Sequence, residues 1–333
     1  MRNIGERLAE NHEVTVATTD PTGKLPREEV INSVRVFRFK SWAPNESYYV
    51  SNTLRNYLGA SSSKFDVVHA HSYHAFPALY AAQTKGKNRL FFTSHYHGSG
   101  HTFFRSLLHV PYKWIGMSIF EKADKTICVS SFEKSLLLKD FHIREGDVEV
   151  VPNGVNLDEF RFLKRQGKQN YRTILTIGRL ERYKGVQYLI LSLTQLNENV
   201  ILDIVGKGPL ETYLRKLVSN LKLQKRVIFE RDLLRADLLQ RYADSDLFVS
   251  LSSLESYGLT VAEALAAGTP CIVANASALS EWIDNINCYG IDDPINADQL
   301  VALINKVMGK SVHAQKIPDW NDVVQHLERL YIA

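Results

Sequence analysis

The sequence predicts an α/β protein with two doubly wound, mostly parallel sheets. Short apolar runs alternate with longer amphipathic stretches along the whole chain, which is the pattern of βαβ units. The alternation stops at the polar, basic residues 160–170 and then starts again, so we place a linker there. A chain of 333 residues is long enough for two domains, each with its own hydrophobic core.

The first series of elements predicts a domain over residues 1–160. Its strands are short runs rich in Val, Ile and Phe, at residues 14–18, 34–39, 66–71, 90–94, 126–129 and 148–151. Its helices are longer amphipathic stretches, at residues 52–61, 75–84, 103–123 and 131–138.

The second series predicts a domain over residues 161–315, and residues 316–333 predict a helix that crosses back to the first domain. The strands lie at residues 174–177, 200–205, 227–229, 247–251 and 271–274. The helices lie at residues 185–196, 210–221, 236–243 and 260–267. Ligands of open α/β sheets bind outside the carboxyl ends of the strands. The residues just after each strand are therefore the candidate site residues.

Composition and charge exclude several classes of protein. The 40 basic and 36 acidic side chains give a net charge of +4 and are spread along the chain, whereas nucleic-acid binding needs a concentrated basic face. The three cysteines are far apart and form no CxxC pair, which argues against a zinc knuckle or a disulfide framework and fits a cytoplasmic setting. No apolar run approaches the roughly 20 residues that span a bilayer.

Two cations follow the first strand of the second series. The strand ends at Gly178, Arg179 comes next, and Lys184 lies where the following helix begins. Both cations therefore stand beside a helix N-terminus, which itself favours anions. A diphosphate group suits this arrangement, and two solvated surface charges are the alternative.

Two carboxylates flank the start of a later helix. Glu255 lies in the loop after strand 247–251, and Glu263 lies inside helix 260–267. Gly258 between them permits a close backbone approach, and the N–H groups of the helix start are free to bind an anion. Carboxylates in these places can accept hydrogen bonds from sugar hydroxyls. The alternative is that Glu255 caps the helix and Glu263 is solvated.

The commoner nucleotide motifs are incomplete. Gly206 and Gly208 follow a strand, but Glu211 replaces the third glycine of a dinucleotide-binding loop. No P-loop sequence is present. Nicotinamide binding and P-loop NTPase activity are therefore disfavoured.

Taken together, the motifs of the second half resemble the retaining glycosyltransferases of family 4, which have the GT-B fold. The resemblance covers residues 4–332 and rests on Gly178-Arg179-Leu180 with Tyr183-Lys184-Gly185, on Gly206-x-Gly208-Pro209-Leu210, and on Glu255-x7-Glu263 followed by Gly268-Thr269-Pro270. It implies two Rossmann-like domains facing across a cleft, and a hexosyl unit transferred from a nucleotide-diphospho-sugar to a hydroxyl acceptor.

The resemblance also implies roles for individual residues. Arg179 and Lys184 neutralise the diphosphate, Glu263 binds the ribose hydroxyls, and Glu255 contacts the donor sugar as a catalytic residue. The remaining donor-binding positions are Gly206, Gly258, Leu259 and Thr260. The resemblance further implies that the donor is a UDP- or GDP-sugar and that the acceptor is a glycan or a lipid-linked molecule. Neither a metal nor another cofactor is required. The usual Glu-Gly-Phe-Gly run reads Glu255-Ser256-Tyr257-Gly258 here, and the serine can alter donor choice.

Histidines are concentrated in the first half of the chain, at positions 69, 71, 74, 95, 97 and 101. By resemblance to the family's Thr-x-His element, His95 contacts the donor sugar or the acceptor near the reacting carbon. His97 is the rival for this role. His95, His97 and His101 could also hold a metal, but no carboxylate or cysteine completes the set.

The stretch 103–120 mixes aromatic residues with Arg105 and Lys113. It could rest on a membrane surface and give access to a lipid-linked acceptor. Because Pro111 interrupts this run of aromatic and basic residues, we prefer a core helix or a wall of the site. Peripheral contact with the cytoplasmic membrane face is the alternative.

The N-terminus departs from the family pattern. Relatives open with a strand and a Gly-rich loop, whereas residues 1–11 here predict the end of a helix that leads directly into strand 14–18. We therefore expect strands 14–18 and 66–71 to remain unpaired with each other. The corresponding hypothesis is a chain lacking roughly 20–40 upstream residues, which binds nucleotide but transfers sugar poorly.

Two alternatives to a glycosyltransferase remain open from the sequence. One is a sugar-nucleotide epimerase or hydrolase on the same fold. The other is a non-catalytic relative that binds a sugar or a nucleotide. Transfer of sugar to an acceptor distinguishes a transferase from an epimerase or hydrolase. Turnover of the donor distinguishes an enzyme from a non-catalytic relative.

Overall fold

The computed structural model describes residues 1–44, 48–98, 103–166 and 170–333, with the side chains of residues 103–111 left out. These residues divide into two compact units. The first unit comprises residues 1–154 and 320–333, and the second comprises residues 155–319.

The described residues contain strands and α-helices in the alternation that the sequence predicts. The strands are β1 Thr15–Asp20, β2 Glu28–Ile31, β3 Val34–Lys40, β4 Val67–His71, β5 Arg89–Thr93, β6 Lys125–Cys128, β7 Val148–Val150, β8 Arg172–Ile177, β9 Val200–Val205, β10 Val227–Glu230, β11 Leu247–Ser250, β12 Cys271–Ala274 and β13 Cys288–Ile291. The helices are α1 Arg2–Leu8, α2 Asn52–Ser61, α3 Phe76–Gln83, α4 Phe103–Lys122, α5 Ser131–Asp140, α6 Val186–Ser192, α7 Glu211–Asn220, α8 Arg235–Asp244, α9 Leu259–Ala266, α10 Ala297–Val307 and α11 Trp320–Ile332.

The first unit contains two separate sheets. In the smaller sheet, with order β1-β3-β2, β1 and β3 are parallel, and β2 joins β3 through a hairpin. Asn32 and Ser33 form the tight turn of this hairpin with φ angles of 47° and 66°. The sequence analysis missed β2, because its side chains are largely exposed and its Glu-Glu-Val-Ile sequence carries little apolar signal.

The larger sheet of the first unit is parallel throughout, with order β4-β5-β6-β7. Its β4 edge and the β1 edge of the smaller sheet belong to different sheets in the described residues. The expectation that these two strands do not pair with each other is therefore confirmed.

Aromatic side chains cover one face of the larger sheet, and α11 covers the other. On the first face, Tyr73, Phe92 and Phe120 belong to one core cluster with side chains of α3 and α5. On the second face, Phe91 and Ile127 belong to a cluster with α11 side chains. Full burial of each such aromatic side chain contributes about 1.5–3 kcal/mol, so both faces hold the sheet in place.

The second unit contains one parallel sheet of six strands, with order β10-β9-β8-β11-β12-β13. This is the doubly wound Rossmann order, and the strand order reverses between β8 and β11. The loops after these two central strands diverge at the carboxyl edge of the sheet and leave a crevice between them. The fold thus brings the loop with Arg179 and the loop with Glu255 to the same place.

The eleven predicted strands are confirmed with ends within two residues, but the helix predicted over residues 185–196 is too long. Helix α6 ends at Ser192, and the chain continues in turns. The Arg226 guanidinium donates to the carbonyl oxygens of Leu193 and Leu196 at 2.8 and 3.3 Å. These carbonyls point to a side chain rather than to a further helical turn, and this pairing is not visible in local sequence.

Candidate active site

The β8 loop and the β9 loop pack backbone against backbone at the floor of the crevice. Gly178 donates its N–H to the Val205 carbonyl at 3.0 Å, and Leu180 donates to the Lys207 carbonyl at 3.0 Å. Gly206 has a φ of 148°, and a Cβ built on it would lie 2.0 Å from the Gly178 carbonyl oxygen. Only glycine fits there, so the sequence-predicted donor-binding Gly206 also fixes the spacing of the two loops.

The cations predicted to bind a diphosphate lie around a pocket beside this floor. Both Arg179 and Lys184 line it, together with Thr176, Ile204 and Ser250. The Lys184 ammonium group forms an ion pair with the Glu255 carboxylate across the crevice, from the β8 loop to the β11 loop. The structure therefore brings together the predicted diphosphate-binding lysine and the predicted sugar-binding carboxylate.

Arg179 is more exposed and has a local partner. Its Nε lies 3.2 Å from Oε1 of Glu181, and 56% of its side chain is exposed. Exposed ion pairs of this kind contribute little free energy. The guanidinium can therefore change partner at low cost when an anion enters the crevice.

The N-terminus of α9 lies in the β11 loop and has no side-chain cap. Gly258 stands at the cap position with a φ of 93°, and its carbonyl accepts from Val261 and Ala262. In the part of the chain that the structure describes, the N–H groups of Leu259 and Thr260 have no backbone or side-chain acceptor. Free N–H groups at a helix start are able to bind an anion, and donor binding by these residues stays a prediction.

Glu263 is buried on α9, and both of its carboxylate oxygens have hydrogen-bond partners. Its Oε1 accepts from the Arg235 guanidinium at 2.6 Å, and its Oε2 accepts from the Tyr242 hydroxyl at 3.0 Å. Arg235 also donates to Glu159 at 2.7 and 2.9 Å. Sequence reasoning missed Arg235, Tyr242 and Glu159, since no spacing motif connects residues that far apart in the chain.

His95 lies in the first unit, two residues after the end of β5, in a left-handed conformation with a φ of 49°. Burial lowers its pKa to about 4, with smaller contributions from the N-terminal ammonium group and His97. The ring of His95 stacks on that of His71, with centroids 5.9 Å apart. The imidazole is therefore neutral at pH 7 and available as a hydrogen-bonding group.

A chain of imidazole contacts extends from His95 into the first unit. The rings of His71 and His69 are 4.2 Å apart, and burial lowers the pKa of both. His69 bonds to the Tyr331 hydroxyl at 2.5 Å and to the Thr93 hydroxyl at 2.7 Å. The sequence analysis noted these histidines. His69 and His71 lie two residues apart on one face of β4, and the pairing of β4 with β5 brings His95 beside His71.

The rival and metal-binding interpretations of the histidines have different outcomes. His97 is partly buried, and its Nδ1 lies 3.2 Å from the His95 carbonyl oxygen. His101 lies outside the described residues. Within the described part of the chain, no group of three or more His, Cys, Asp or Glu side chains is arranged to hold a metal ion. Independence from metals stays a prediction.

Helix α4 buries one face and exposes another. Tyr112, Ile119 and Phe120 are buried, as expected for a core helix, whereas 82% of Trp114 is exposed. The side chains of Arg105 and Pro111 lie outside the described residues. Among the helices that the structure describes, none is long and apolar enough to cross a membrane.

The two Rossmann-like units and the charged crevice at the switch point define the class of GT-B α/β enzymes. Two family models match the chain: Glycosyltransferase Family 4 over residues 1–159 and Glycosyl transferases group 1 over residues 158–318. The chain belongs to the family 4 glycosyltransferases of this group and is a transferase enzyme.

Known proteins resemble the chain over most of its length. An uncharacterized glycosyltransferase of Methanocaldococcus jannaschii is 29% identical over 92% of this chain and 83% of its own length. The Escherichia coli UDP-Gal:alpha-D-GlcNAc-diphosphoundecaprenol alpha-1,3-galactosyltransferase is 27% identical over 90% of this chain and 84% of its own length. The solved sucrose-phosphate synthase of Thermosynechococcus elongatus superposes with a TM-score of 0.82 at 21% identity, over 99% of this chain and 91% of that one.

Proposed function

We propose that the protein is a retaining glycosyltransferase that moves a hexosyl unit from a nucleotide-diphospho-sugar to a hydroxyl acceptor. The observation that carries this proposal is the crevice between β8 and β11, where Lys184, Glu255 and the uncapped start of α9 converge. A cation, an anion-binding helix start and a carboxylate are the groups that a diphosphate attached to a sugar requires.

Donor binding rearranges the ion pair between Lys184 and Glu255. The diphosphate replaces the Glu255 carboxylate on Lys184, and the N–H groups of Leu259 and Thr260 donate to its oxygens. Glu255 is then released to accept hydrogen bonds from the donor sugar. Glu263 retains lone pairs besides those used by Arg235 and Tyr242, because a carboxylate has about four acceptor positions. These lone pairs accept from the ribose hydroxyls.

The resemblance to the family implies the course of the reaction. The bond between the anomeric carbon and the phosphate oxygen breaks while the acceptor oxygen bonds to the same carbon from the same face. The acceptor proton moves to the leaving phosphate oxygen, so no side chain has to act as a base. Arg179 and Lys184 stabilise the charge that develops on the diphosphate, which is a typical electrostatic contribution to catalysis. No metal is part of this proposal.

The donor and acceptor classes follow from relatives. The Escherichia coli relative is named for a UDP-galactose donor and a diphosphoundecaprenol-linked acceptor. We propose a UDP-sugar as donor, with a GDP-sugar as the alternative, and a glycan or lipid-linked acceptor. The exposed Trp114 of α4 supports peripheral contact with lipid at the cytoplasmic membrane face.

The test combines binding, turnover and stereochemistry. UDP, GDP, ADP and their sugars are screened by thermal shift, where a ligand at 100 times its dissociation constant stabilises the fold by about 2.7 kcal/mol. Sugar transfer to glycan and polyprenol-diphosphate acceptors is then followed, and the anomeric configuration of the product is read by NMR.

Each outcome of this test has one meaning. A product with the donor's anomeric configuration supports the proposal, and inverted configuration contradicts the retaining mechanism. Free sugar or an epimerised donor without transfer would identify the hydrolase or epimerase alternative. Binding without turnover would identify a non-catalytic relative.

A further inference from the structure

The backbone on both sides of His95 is held by a single buried side chain. Ser94 and Tyr96 are fully buried, and the residue between them has the left-handed φ of 49°. Such a φ is uncommon outside glycine and needs support from the surroundings. Glu133, on α5, supplies that support.

The Glu133 carboxylate accepts three hydrogen bonds from two loops. Its Oε1 accepts from the Ser94 hydroxyl and from the Tyr96 N–H, each at 2.5 Å. Its Oε2 accepts from the Val129 N–H at 2.7 Å. Glu133 thus ties the β5 loop, on both sides of His95, to the β6 loop.

This arrangement differs from ordinary helix capping. In a capping box, the glutamate in the third helical position bonds back to the N–H of the N-cap residue. Here the N-cap is Ser130, whose hydroxyl accepts from the Glu133 N–H at 3.0 Å, but the carboxylate bonds to residues outside the helix. The carboxylate therefore holds the His95 loop rather than the end of α5.

The pattern of donors favours an ionised carboxylate. Three donors converge on two oxygens, and a carboxamide would direct its own N–H groups at one of them. Glu133 has no solvent exposure, and this burial disfavours the charged form and raises its pKa to about 7. Among the described residues, the Cys128 thiol is a titratable group close enough for the Glu133 charge to raise its pKa.

We propose that Glu133 is a positioning residue that fixes the imidazole of His95 for sugar transfer. The catalytic part of this proposal rests on the proposed function, whereas its structural part can be tested without any activity. The expected consequence of losing the carboxylate is a displaced, more exposed His95 in a protein that remains folded.

The first experiment titrates the histidine side chains by NMR in the full chain. In the wild type, burial, the N-terminal ammonium group and His97 hold the pKa of His95 near 4, and His71 stacks on its ring. In Glu133→Gln we expect the pKa of His95 to rise by at least one unit toward 6.5. Glu121 is an exposed glutamate at the end of α4, and Glu121→Gln is the matched control. We expect this control to leave the pKa of His95 unchanged.

A milder variant covers the case in which Glu133→Gln does not fold. Ser94→Ala removes one of the three donors and keeps the carboxylate, and we expect a smaller rise in the pKa of His95. If the pKa of His95 stays at its wild-type value in the folded variants, the positioning role is wrong.

The second experiment is a double-mutant cycle on transfer. We expect Glu133→Gln to lower kcat at least tenfold, with the KM for the donor nearly unchanged. In a His95→Ala background the same substitution has little further effect, because coupled residues are not additive. Equal losses in both backgrounds would indicate a merely structural role. Absence of transfer by the wild type would contradict the proposed function, and the NMR titration would still decide the position of His95.

Discussion

The candidate site residues of the second unit are charged and paired with one another, whereas those of the first unit are buried imidazoles held neutral. Lys184 pairs with Glu255, and Arg235 pairs with Glu263. In the first unit, burial lowers the pKa of His69, His71 and His95. The second unit is therefore suited to an anionic ligand, and the first is suited to neutral hydroxyl groups.

The difference also explains how each set of side chains is stabilised within its own unit. A charged side chain in a crevice is costly unless it is paired, so the second unit pairs its cations and carboxylates internally. A neutral imidazole needs only stacking and hydrogen bonds, and the first unit supplies these through His71, Tyr331 and Thr93. Substitutions and pH changes should therefore act differently on the two units.

The largest effect is expected for Lys184→Ala. The variant loses the cation that we propose binds the diphosphate, and it leaves Glu255 without its ion-pair partner. Removing one preorganised electrostatic donor lowers turnover by about 10²–10³-fold, and we expect a kcat/KM loss of this size. Steady-state kinetics with Lys225→Ala, an exposed lysine of the same unit, provides the matched control. Unchanged kinetics in folded Lys184→Ala would remove the diphosphate assignment.

Acidification should destabilise the first unit in particular. The folded-state pKa of His95 is about 4 against an ordinary 6.5, so the unfolded chain binds more protons below pH 6.5 and stability falls as pH falls through that window. This shift corresponds to about 3 kcal/mol when fully developed. Glu133, with a raised pKa of about 7, changes the stability with the opposite sign. It is one group, whereas three histidines of this unit have lowered pKa values.

The second unit should respond with the opposite sign. Burial, together with Glu230, raises the pKa of Asp203 to about 6, so its folded form binds the proton first and gains stability as pH falls below 6. Hydrogen exchange resolved by peptide at pH 7 and pH 5 measures both units in one sample. Equal changes in the two units would contradict this prediction.

A smaller effect is expected for Glu263→Gln. The variant loses the carboxylate that accepts from the ribose hydroxyls, and a hydrogen bond to a charged group contributes about 1.5–3 kcal/mol. We expect nucleotide affinity to fall by about 10- to 100-fold in calorimetry, with the protein still folded because Arg235 keeps Glu159. Glu198→Gln, exposed in the same unit, serves as the control. Full affinity in Glu263→Gln would show that this carboxylate has only a structural role.

The sequence predicts the motifs at strand ends better than the partners that the fold brings to the site residues, for a physical reason. Glycine and charge motifs at strand ends are local, so Gly206, Lys184 and the start of α9 are visible in short stretches of sequence. The partners of Glu263 and Glu133 are not, because they come from distant elements and depend on which strands pair. The edge strand β2 and the four-residue β13, with its internal Gly290, also lack a strong apolar pattern.

Two buried tyrosines of the second unit differ in whether the fold gives their hydroxyl group a hydrogen-bond partner. Tyr257 replaces the phenylalanine of the family pattern, and its hydroxyl is buried with no hydrogen-bond partner in the described part of the chain. Its ring contacts Trp282 with centroids 5.4 Å apart, so a phenylalanine ring fits the same position. The Tyr242 hydroxyl, in contrast, donates to Glu263.

Replacing each tyrosine by phenylalanine therefore has opposite expected outcomes. Tyr257→Phe removes an unsatisfied polar group, and since such a group costs about 1–3 kcal/mol we expect a gain of about 1 kcal/mol. For a unit of this size that gain raises the Tm by about 2–4 °C. Tyr242→Phe removes a satisfied donor from a buried carboxylate and lowers the Tm. Thermal unfolding followed by circular dichroism measures both. A lower Tm in Tyr257→Phe would mean that the hydroxyl has a hydrogen-bond partner in the folded protein.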